Sequence, residues 1–171
     1  IANPLSAEMA VMRTSLLPGL VETLKNNSAR QQTRLRLFEF GRVFVNQDAS
    51  PPIERQSFSA VFCGNAMPEL WSGKSAPVDF YDIKAVLDSA LLRVGFKATY
   101  APSNKAYLHP GRSADVVVDG KSVGVIGALH PGLNNTLDLP ADVYVFEIDL
   151  DALPMRTLPK AGAISRFPSV R

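Results

Sequence analysis

The chain has 171 residues, of which 46% are hydrophobic, and carries a formal net charge of +2 at neutral pH. A chain of this size can bury one substantial core, and it lacks the uncharged apolar run of about 18 residues that would predict a membrane span. The small charge argues against electrostatic coating of nucleic acid, and the single cysteine, Cys63, excludes an intramolecular disulfide and fits a reducing cytoplasm.

An amphipathic helix is predicted first, from Leu16 to Arg30. Its apolar positions recur at helical spacing and are Leu16, Leu17, Leu20, Val21 and Leu24. Either Thr14 or Ser15 can cap the N-terminus, and Pro18 is tolerated because it lies in the first turn.

A pair of strands follows this helix. Arg34 to Phe44 alternates in polarity, and Ser57 to Cys63 is a second β-rich run. The polar, proline-containing segment from Asn46 to Glu54 predicts the loop between them. We expect Gly41 to mark a bulge. One face of the first strand carries Arg36, Phe38 and Phe40.

A second helix is predicted to begin at Asp79 and to end at Gly95. Its apolar stripe consists of Phe80, Ile83, Val86, Leu87, Ala90, Leu91 and Val94. Phe96 to Tyr100 then predicts a short strand, and a polar loop follows over Pro102 to Lys105.

A β-hairpin is predicted between two His-Pro-Gly triplets. Its strands are Ala114 to Val118 and Lys121 to Leu129, and Asp119-Gly120 between them favours a type I′ turn. The triplets at His109 and His130 are interpreted as chain reversals on either side of the hairpin.

The last predicted strand is Val143 to Leu150, with alternate apolar side chains facing inward. From Asp151 to Arg171, prolines and small residues predict an extended tether. Paired strands interrupted by two helices, without regular β-α-β alternation, favour an α+β fold on a mostly antiparallel sheet flanked by helices. Gly124 to Gly127 lies within a strand, so these glycines do not predict a phosphate-binding loop.

Three side chains could supply nitrogen or sulfur ligands to a metal: Cys63, His109 and His130. Structural zinc normally takes four such ligands, so the count argues against a zinc site. Because Cys63 lies in an apolar strand, we interpret it as a small core residue rather than a nucleophile.

Three carboxylates, Glu147, Asp149 and Asp151, share one face of the last predicted strand. They could hold Mg²⁺ or act in acid/base chemistry. The favoured interpretation is a solvated sheet face that pairs with arginines of a neighbouring strand.

Arginines 30, 34, 36 and 42 form a basic segment with only Glu39 opposing them. RNA phosphates are one possible partner, but a solvated or protein interface surface is favoured because no aromatic array accompanies them. His109 beside Arg112 is the most suggestive polar pair, although a histidine bonded to backbone at a turn is the commoner case.

Six motifs, taken in order, make the chain resemble the bacterial phenylalanyl-tRNA synthetase β subunit. They are Asn3 to Ser6, Met12 to Leu20, Leu37 to Phe44, Asp79 to Lys84, His109 to Ala114, and Gly124 to Pro131. The likeness implies a non-catalytic copy of the class II synthetase core over residues 1–153. It also implies that residues 154–171 lead toward an anticodon-binding domain, and both chain ends suggest a piece of a longer polypeptide.

The resemblance implies a partner role. In this family the α subunit binds ATP and phenylalanine, and the β core packs against α in an (αβ)₂ assembly that acts on tRNA(Phe) in the cytoplasm. The candidates for the interface or for tRNA contact are Arg13, Arg30, Arg34, Arg36, His109 and Arg112. We expect docking through the helix from Leu16 to Arg30 and the strand that follows it.

The residues that bind ATP in class II sites are missing from the matching positions of this sequence. Val45-Asn46-Gln47 replaces an Arg-x-Glu element, and the glycine-containing segment from Gly124 ends at His130 instead of an arginine. Without those cations the triphosphate has no fixed partner, so we expect this chain alone to be inactive, with no cofactor or metal of its own. ATP and Mg²⁺ would belong to the assembled enzyme. Two alternatives remain: a self-sufficient enzyme using His109 and Arg112, and a free RNA-binding module.

Overall fold

The computed structural model describes residues 11–46, 51–68, 71, 73, 75–139 and 142–155. Within these ranges, six strands form one sheet in the order β1-β2-β6-β5-β4-β3, and every neighbouring pair is antiparallel. The elements are α1 (Leu17–Ser28), β1 (Leu35–Val45), β2 (Ile53–Cys63), α2 (Phe80–Arg93), β3 (Ala98–Pro102), β4 (Leu108–Val118), β5 (Lys121–Leu129), α3 (Pro131–Thr136) and β6 (Tyr144–Asp149). The α+β class on an antiparallel sheet is confirmed.

Two hydrophobic cores lie on opposite faces of the sheet. On one face α2 buries Ile83, Leu87 and Leu91 against a cluster that includes Phe146. On the other face α1 packs its leucines against a cluster that includes Val145. Strand β6 is therefore buried on both faces, whereas only one inward face was expected, because it lies inside the sheet and helices cover both sides.

The predicted start of α2 is confirmed in detail. The Asp79 carboxylate accepts hydrogen bonds from the backbone N–H groups of Tyr81 and Asp82 at 2.8 and 2.9 Å. In return, the Asp82 carboxylate accepts one from the Asp79 N–H at 2.9 Å. This reciprocal capping satisfies donors that the first helical turn leaves free. Gly95, at φ +84°, ends the helix region.

The turn at Asp119-Gly120 is confirmed as type I′, since both residues have positive φ, 49° and 79°. The expected bulge at Gly41 is wrong, because the β1–β2 register runs through Gly41 without a shift. Its missing side chain leaves space that the Arg13 guanidinium occupies. Strand β2 also starts earlier than expected, at Ile53, because Ile53 pairs with Val45.

Neither His-Pro-Gly triplet reverses the chain, so that interpretation is wrong. His109 lies inside β4, where the pairing with β5 shifts register between Leu108 and Ser113. His130 caps α3, a short helix that was not predicted. In both triplets the histidine Nδ1 accepts the N–H of the glycine two residues on, at 3.0 and 3.1 Å. In each triplet this bond forms a local turn, and at His109 strand β4 continues beyond it.

The predicted tether begins with a short 3₁₀ turn over Leu150–Ala152. Residues 156–171 lie outside the described residues, so the expected lead into a further domain falls there. None of the helices in the described part of the chain has the length and apolar composition needed to cross a lipid bilayer.

The free energy of unfolding depends on the protonation of Tyr100 at high pH. Its hydroxyl donates to Asp88 Oδ1 at 2.6 Å, and burial, followed by this bond, raises the pKa of Tyr100 well above its ordinary value of 10.0. The unfolded chain loses this proton near pH 10 while the folded chain keeps it, so the stabilisation is full below pH 10 and declines as the pH rises further. Tyr100→Phe should therefore flatten the decline of unfolding free energy above pH 10. Denaturant unfolding across pH 9 to 11 measures this, with the exposed Tyr81→Phe as the control that keeps the parent slope.

Candidate functional site: an exposed aromatic strand and a sheet cleft

Strand β1 forms one edge of the sheet and carries exposed aromatic side chains. Phe38 is 74% exposed and Phe40 is 63% exposed. Phe38 meets Phe58 of β2 edge-to-face with ring centroids 6.3 Å apart, and Phe58 contacts the buried Phe146 at 5.2 Å. We call Phe38, Phe40 and Phe58 the aromatic strip. It continues the α2-side core onto the surface.

The strip is uncovered because α2 lies over another part of the same face. That helix contacts β5 and β6, away from the β1 edge. Large apolar side chains that remain exposed together on one face are characteristic of a contact surface.

The backbone of β1 is also open along the strip. At one end, the Phe44 N–H donates to Arg13 O, and Arg13 Nε donates to Arg42 O, both at 2.8 Å. These groups point away from β2, and the two-residue period of a strand directs the backbone groups of Phe38 and Phe40 the same way. In the described part of the chain no strand pairs with them.

The predicted arginine candidates do not gather into one site. Arg36 stacks 4.6 Å from the Phe62 ring centroid and donates to Cys63 O and Asn65 O, and burial lowers its pKa. Arg34 donates to Ala66 O at 3.1 Å. The hydrogen bonds of these two side chains therefore link the segment that follows β2 to strand β1.

The remaining basic candidates are equally dispersed. Arg13 pairs with Glu39 at 2.6 Å across the strand edge, and Arg42 pairs with Glu54 at 2.6 Å. Arg30 is exposed just beyond α1 and makes no ion pair within the described residues.

None of the cavities described along residues 11–155 is lined by both His109 and Arg112. Arg112 donates to Asp142 at 2.5 Å and to the Tyr144 hydroxyl at 3.2 Å, and the bond to Asp142 raises the pKa of Arg112. A cavity of about 520 Å³ is lined by Arg112 but not by His109. The convergence required by a self-sufficient enzyme built on this pair is not present.

Glu147 joins α1 to the sheet, a role that the sequence analysis missed. Its carboxylate accepts from the Leu16 N–H and the Ser15 hydroxyl, both at 2.8 Å. The hydroxyls of Ser59 and Ser57 donate to it as well, at 3.1 and 3.3 Å. The helix start is therefore satisfied by two acceptors: Glu147 of β6 takes the Leu16 N–H, and Ser15 Oγ takes the Leu17 N–H at 3.1 Å, as the prediction of a cap at Thr14 or Ser15 allowed.

The three carboxylates of the predicted row have separate partners. Asp149 pairs with Arg55 of the neighbouring strand at 2.7 Å, which matches the favoured interpretation. Asp151 accepts the Gln56 N–H at 2.8 Å. Glu147 departs from that interpretation, because it is half-buried and bonded to uncharged donors. Ser57 and Ser59, two residues apart on one strand face, were the available signal for a polar pocket around it.

The cleft at Glu147 consists of two adjoining cavities, of about 730 and 290 Å³. Thr14, Tyr107 and Glu147 line both. Among the described residues, no group of three or more His, Cys, Asp or Glu side chains is arranged to hold a metal ion. Cys63 is buried in the α1-side core, and burial raises the pKa of its thiol.

Glu147→Ala should lower the free energy of unfolding by about 2 kcal/mol, because it strips acceptors from a helix N–H and three hydroxyls that are partly removed from water. Chemical denaturation measures the change. Glu22→Ala on the exposed side of α1 is the matched control and should leave stability within about 0.5 kcal/mol of the parent. Equal stability of the two variants would contradict the role assigned to Glu147.

Comparisons with known proteins bear on the whole chain. A family model described as "Phenylalanyl tRNA synthetase beta chain CLM domain" matches residues 1–150. A protein named phenylalanine–tRNA ligase beta subunit from Xanthomonas oryzae pv. oryzae is 49% identical over 173 residues, and its namesake from Xylella fastidiosa is 48% identical over 173 residues. Each alignment covers 100% of this chain but 22% of the relative, so the chain spans about a fifth of their length.

A solved structure of a pyrrolysyl tRNA synthetase from Desulfitobacterium hafniense shares the fold. The two superpose with a TM-score of 0.58 over 82% of this chain and 46% of that one, at 16% sequence identity. At this identity the likeness concerns the fold alone. It places the described sheet and helices in the class II synthetase architecture.

Proposed function

The chain belongs to the phenylalanyl-tRNA synthetase β-chain CLM domain family, and from that premise we propose that it is a non-catalytic, synthetase-like domain of the β subunit. Its role is to dock on the α subunit and so support aminoacylation of tRNA(Phe) by the assembled cytoplasmic enzyme. ATP, Mg²⁺ and tRNA(Phe) are assigned to that assembly rather than to a site on this chain.

The aromatic strip carries the docking part of the proposal. Phe38 and Phe40 expose most of their surface beside backbone groups to which the described sheet offers no strand partner. Aromatic side chains are enriched at interface centres because they bury large apolar areas at a low entropic cost. A partner surface laid along β1 would cover both the rings and the open strand edge.

The site chemistry supports the non-catalytic part. In the cleft, Glu147 and Asp149 present carboxylates, which repel a triphosphate, and Arg55 is already paired with Asp149. By the family resemblance, His130 takes the place of an arginine of the catalytic cores, and its Nδ1 accepts the Gly132 N–H at 3.1 Å. Lys105 also lines the smaller cavity of the cleft, so a triphosphate bound here would meet that lysine against two carboxylates and would lack the several charge-assisted bonds that stabilise a phosphoryl transition state.

Two measurements on purified subunits test the proposal. Size exclusion or calorimetry should detect association between the full-length β subunit that carries these residues and the α subunit. ATP-pyrophosphate exchange dependent on phenylalanine should appear in the mixture and be absent from β alone. Exchange by β alone, or no association with α, would overturn the proposal.

A further inference from the structure

The larger cavity of the cleft has the shape and lining of a small-molecule site. It encloses about 730 Å³ beside α1 and α3, on the sheet face opposite the aromatic strip. Ligand sites typically measure roughly 300–1,000 Å³ and combine apolar walls with a few polar groups. The apolar wall is made by Leu17, Val21, Leu129, Leu133 and Leu137.

The polar end of this cavity is an anion without a counter-ion. All four groups that donate to Glu147 are uncharged: one backbone N–H and three serine hydroxyls. Within the described residues, no lysine, arginine or histidine forms an ion pair with it. Among the described residues, Ser15 alone donates to Glu147 Oε2, and this oxygen can accept a further donor.

The other titratable side chains that line this cavity are Tyr107, Glu22 and Lys25. Tyr107 lines the cavity beside Glu147, and burial, then the Glu147 charge, raise the pKa of its hydroxyl, which stays protonated at neutral pH. Glu22 and Lys25 at the mouth carry opposite charges, so the rim adds no net charge of its own.

We propose that this cavity binds a small organic cation: a primary ammonium group on a compact apolar body. The ammonium donates to Glu147 Oε2, and the apolar body lies against the leucines of α1, β5 and α3. A half-buried carboxylate without a counter-ion favours a charged donor over a neutral one, because the charge-assisted bond is stronger and the anion is already desolvated in part. The cavity lies on the sheet face opposite the aromatic strip.

Calorimetric titration of the full-length β subunit with cyclohexylmethylamine tests this, with cyclohexylmethanol as the neutral probe of the same shape. The amine should bind, and the alcohol should bind at least about tenfold more weakly, as expected for loss of one charge-assisted hydrogen bond. Glu147→Gln should weaken the amine by a similar factor and leave the alcohol unchanged. Glu54→Gln, at an exposed carboxylate that lines neither cavity of the cleft, is its matched control and should keep the parent affinity for the amine.

A second variant distinguishes a direct role of Glu147 in binding from a Glu147 substitution that only disturbs the fold. Leu133→Trp fills the cavity from α3 and should abolish binding of both probes, whereas Leu92→Trp on the exposed side of α2 should change neither. The proposal is overturned if the amine does not bind, if the alcohol binds as well as the amine, or if Leu133→Trp leaves both affinities intact.

Discussion

Replacing Phe38 and Phe40 together by serine is expected to weaken association with the α subunit by about a hundredfold or more. Truncating one buried aromatic at an interface centre commonly costs about 2 kcal/mol, and each 1.4 kcal/mol is a factor of ten. Both rings are largely exposed in this chain, so the substitution removes contact area for a partner while removing little internal packing. Calorimetry with purified α measures the change.

The control for this pair comes from the other exposed apolar side chains. Tyr81 and Leu92 are 73% and 70% exposed on α2, so Tyr81→Ser with Leu92→Ser removes comparable apolar surface at a different place. That control should bind α as the parent does, and both double variants should keep the parent melting temperature within a few degrees. If the control loses affinity and the β1 variant keeps it, the docking face has been misassigned.

Gly124→Ala is expected to be the most destabilising single-methyl change in the sheet. An added Cβ would collide with the backbone oxygen of Glu147 and approach the Ile148 Cα to 2.9 Å, and both atoms belong to the paired strand β6. Backbone atoms in a central ladder cannot move aside without breaking hydrogen bonds. The cost should be about 3 kcal/mol, which corresponds to a fall in melting temperature of roughly 6–12 °C for a chain of this size.

Gly19→Ala provides the matched measurement. Nothing lies within 4 Å of a Cβ added at Gly19, which is exposed in α1. This variant should gain about 0.5–1 kcal/mol, because alanine restricts the unfolded chain and favours the helix. Calorimetric melting of both variants checks the pair. Similar melting temperatures for the two would show that the β5–β6 contact at Gly124 does not require a glycine.

The elements that could be predicted from the sequence are those whose signals are local. The helix that starts at Asp79 has its cap, its partner carboxylate and its apolar stripe within a few residues of each other. Strand β5 matches its predicted bounds, since the Asp119-Gly120 turn defines where it begins. In both cases propensity, capping and turn chemistry agree.

The features that escaped prediction depend on distant residues. His109-Pro110-Gly111 has the composition of a turn, but strand β4 continues through it, with a shift of the β5 register between Leu108 and Ser113. At the N-terminus of α1 the expected local acceptor, Ser15, is present, but a second acceptor, Glu147, comes from 131 residues further along the chain. Long-range hydrogen bonds override local preference at such positions.

The candidate docking surface was predictable in part. The alternation of β1 places Phe38 and Phe40 on a common face, and docking through this strand together with the helix before it was expected from the family resemblance. That this face would be the exposed one depends on where α2 packs, which no short pattern in the sequence encodes. The arginines predicted an interface in the same region, yet most of them form hydrogen bonds or ion pairs with other residues of this chain.

Hydrogen exchange along β1, with and without the α subunit, tests the docking account most directly. The N–H groups of Phe38 and Phe40 face away from β2 and have no strand partner in the described sheet, so they should exchange rapidly in the free β subunit. Addition of α should slow these two amides strongly while amides near Leu92 on α2 keep their rate. Unchanged exchange at Phe38 and Phe40 in a complex that protects another surface would contradict the assignment of β1 as the docking face.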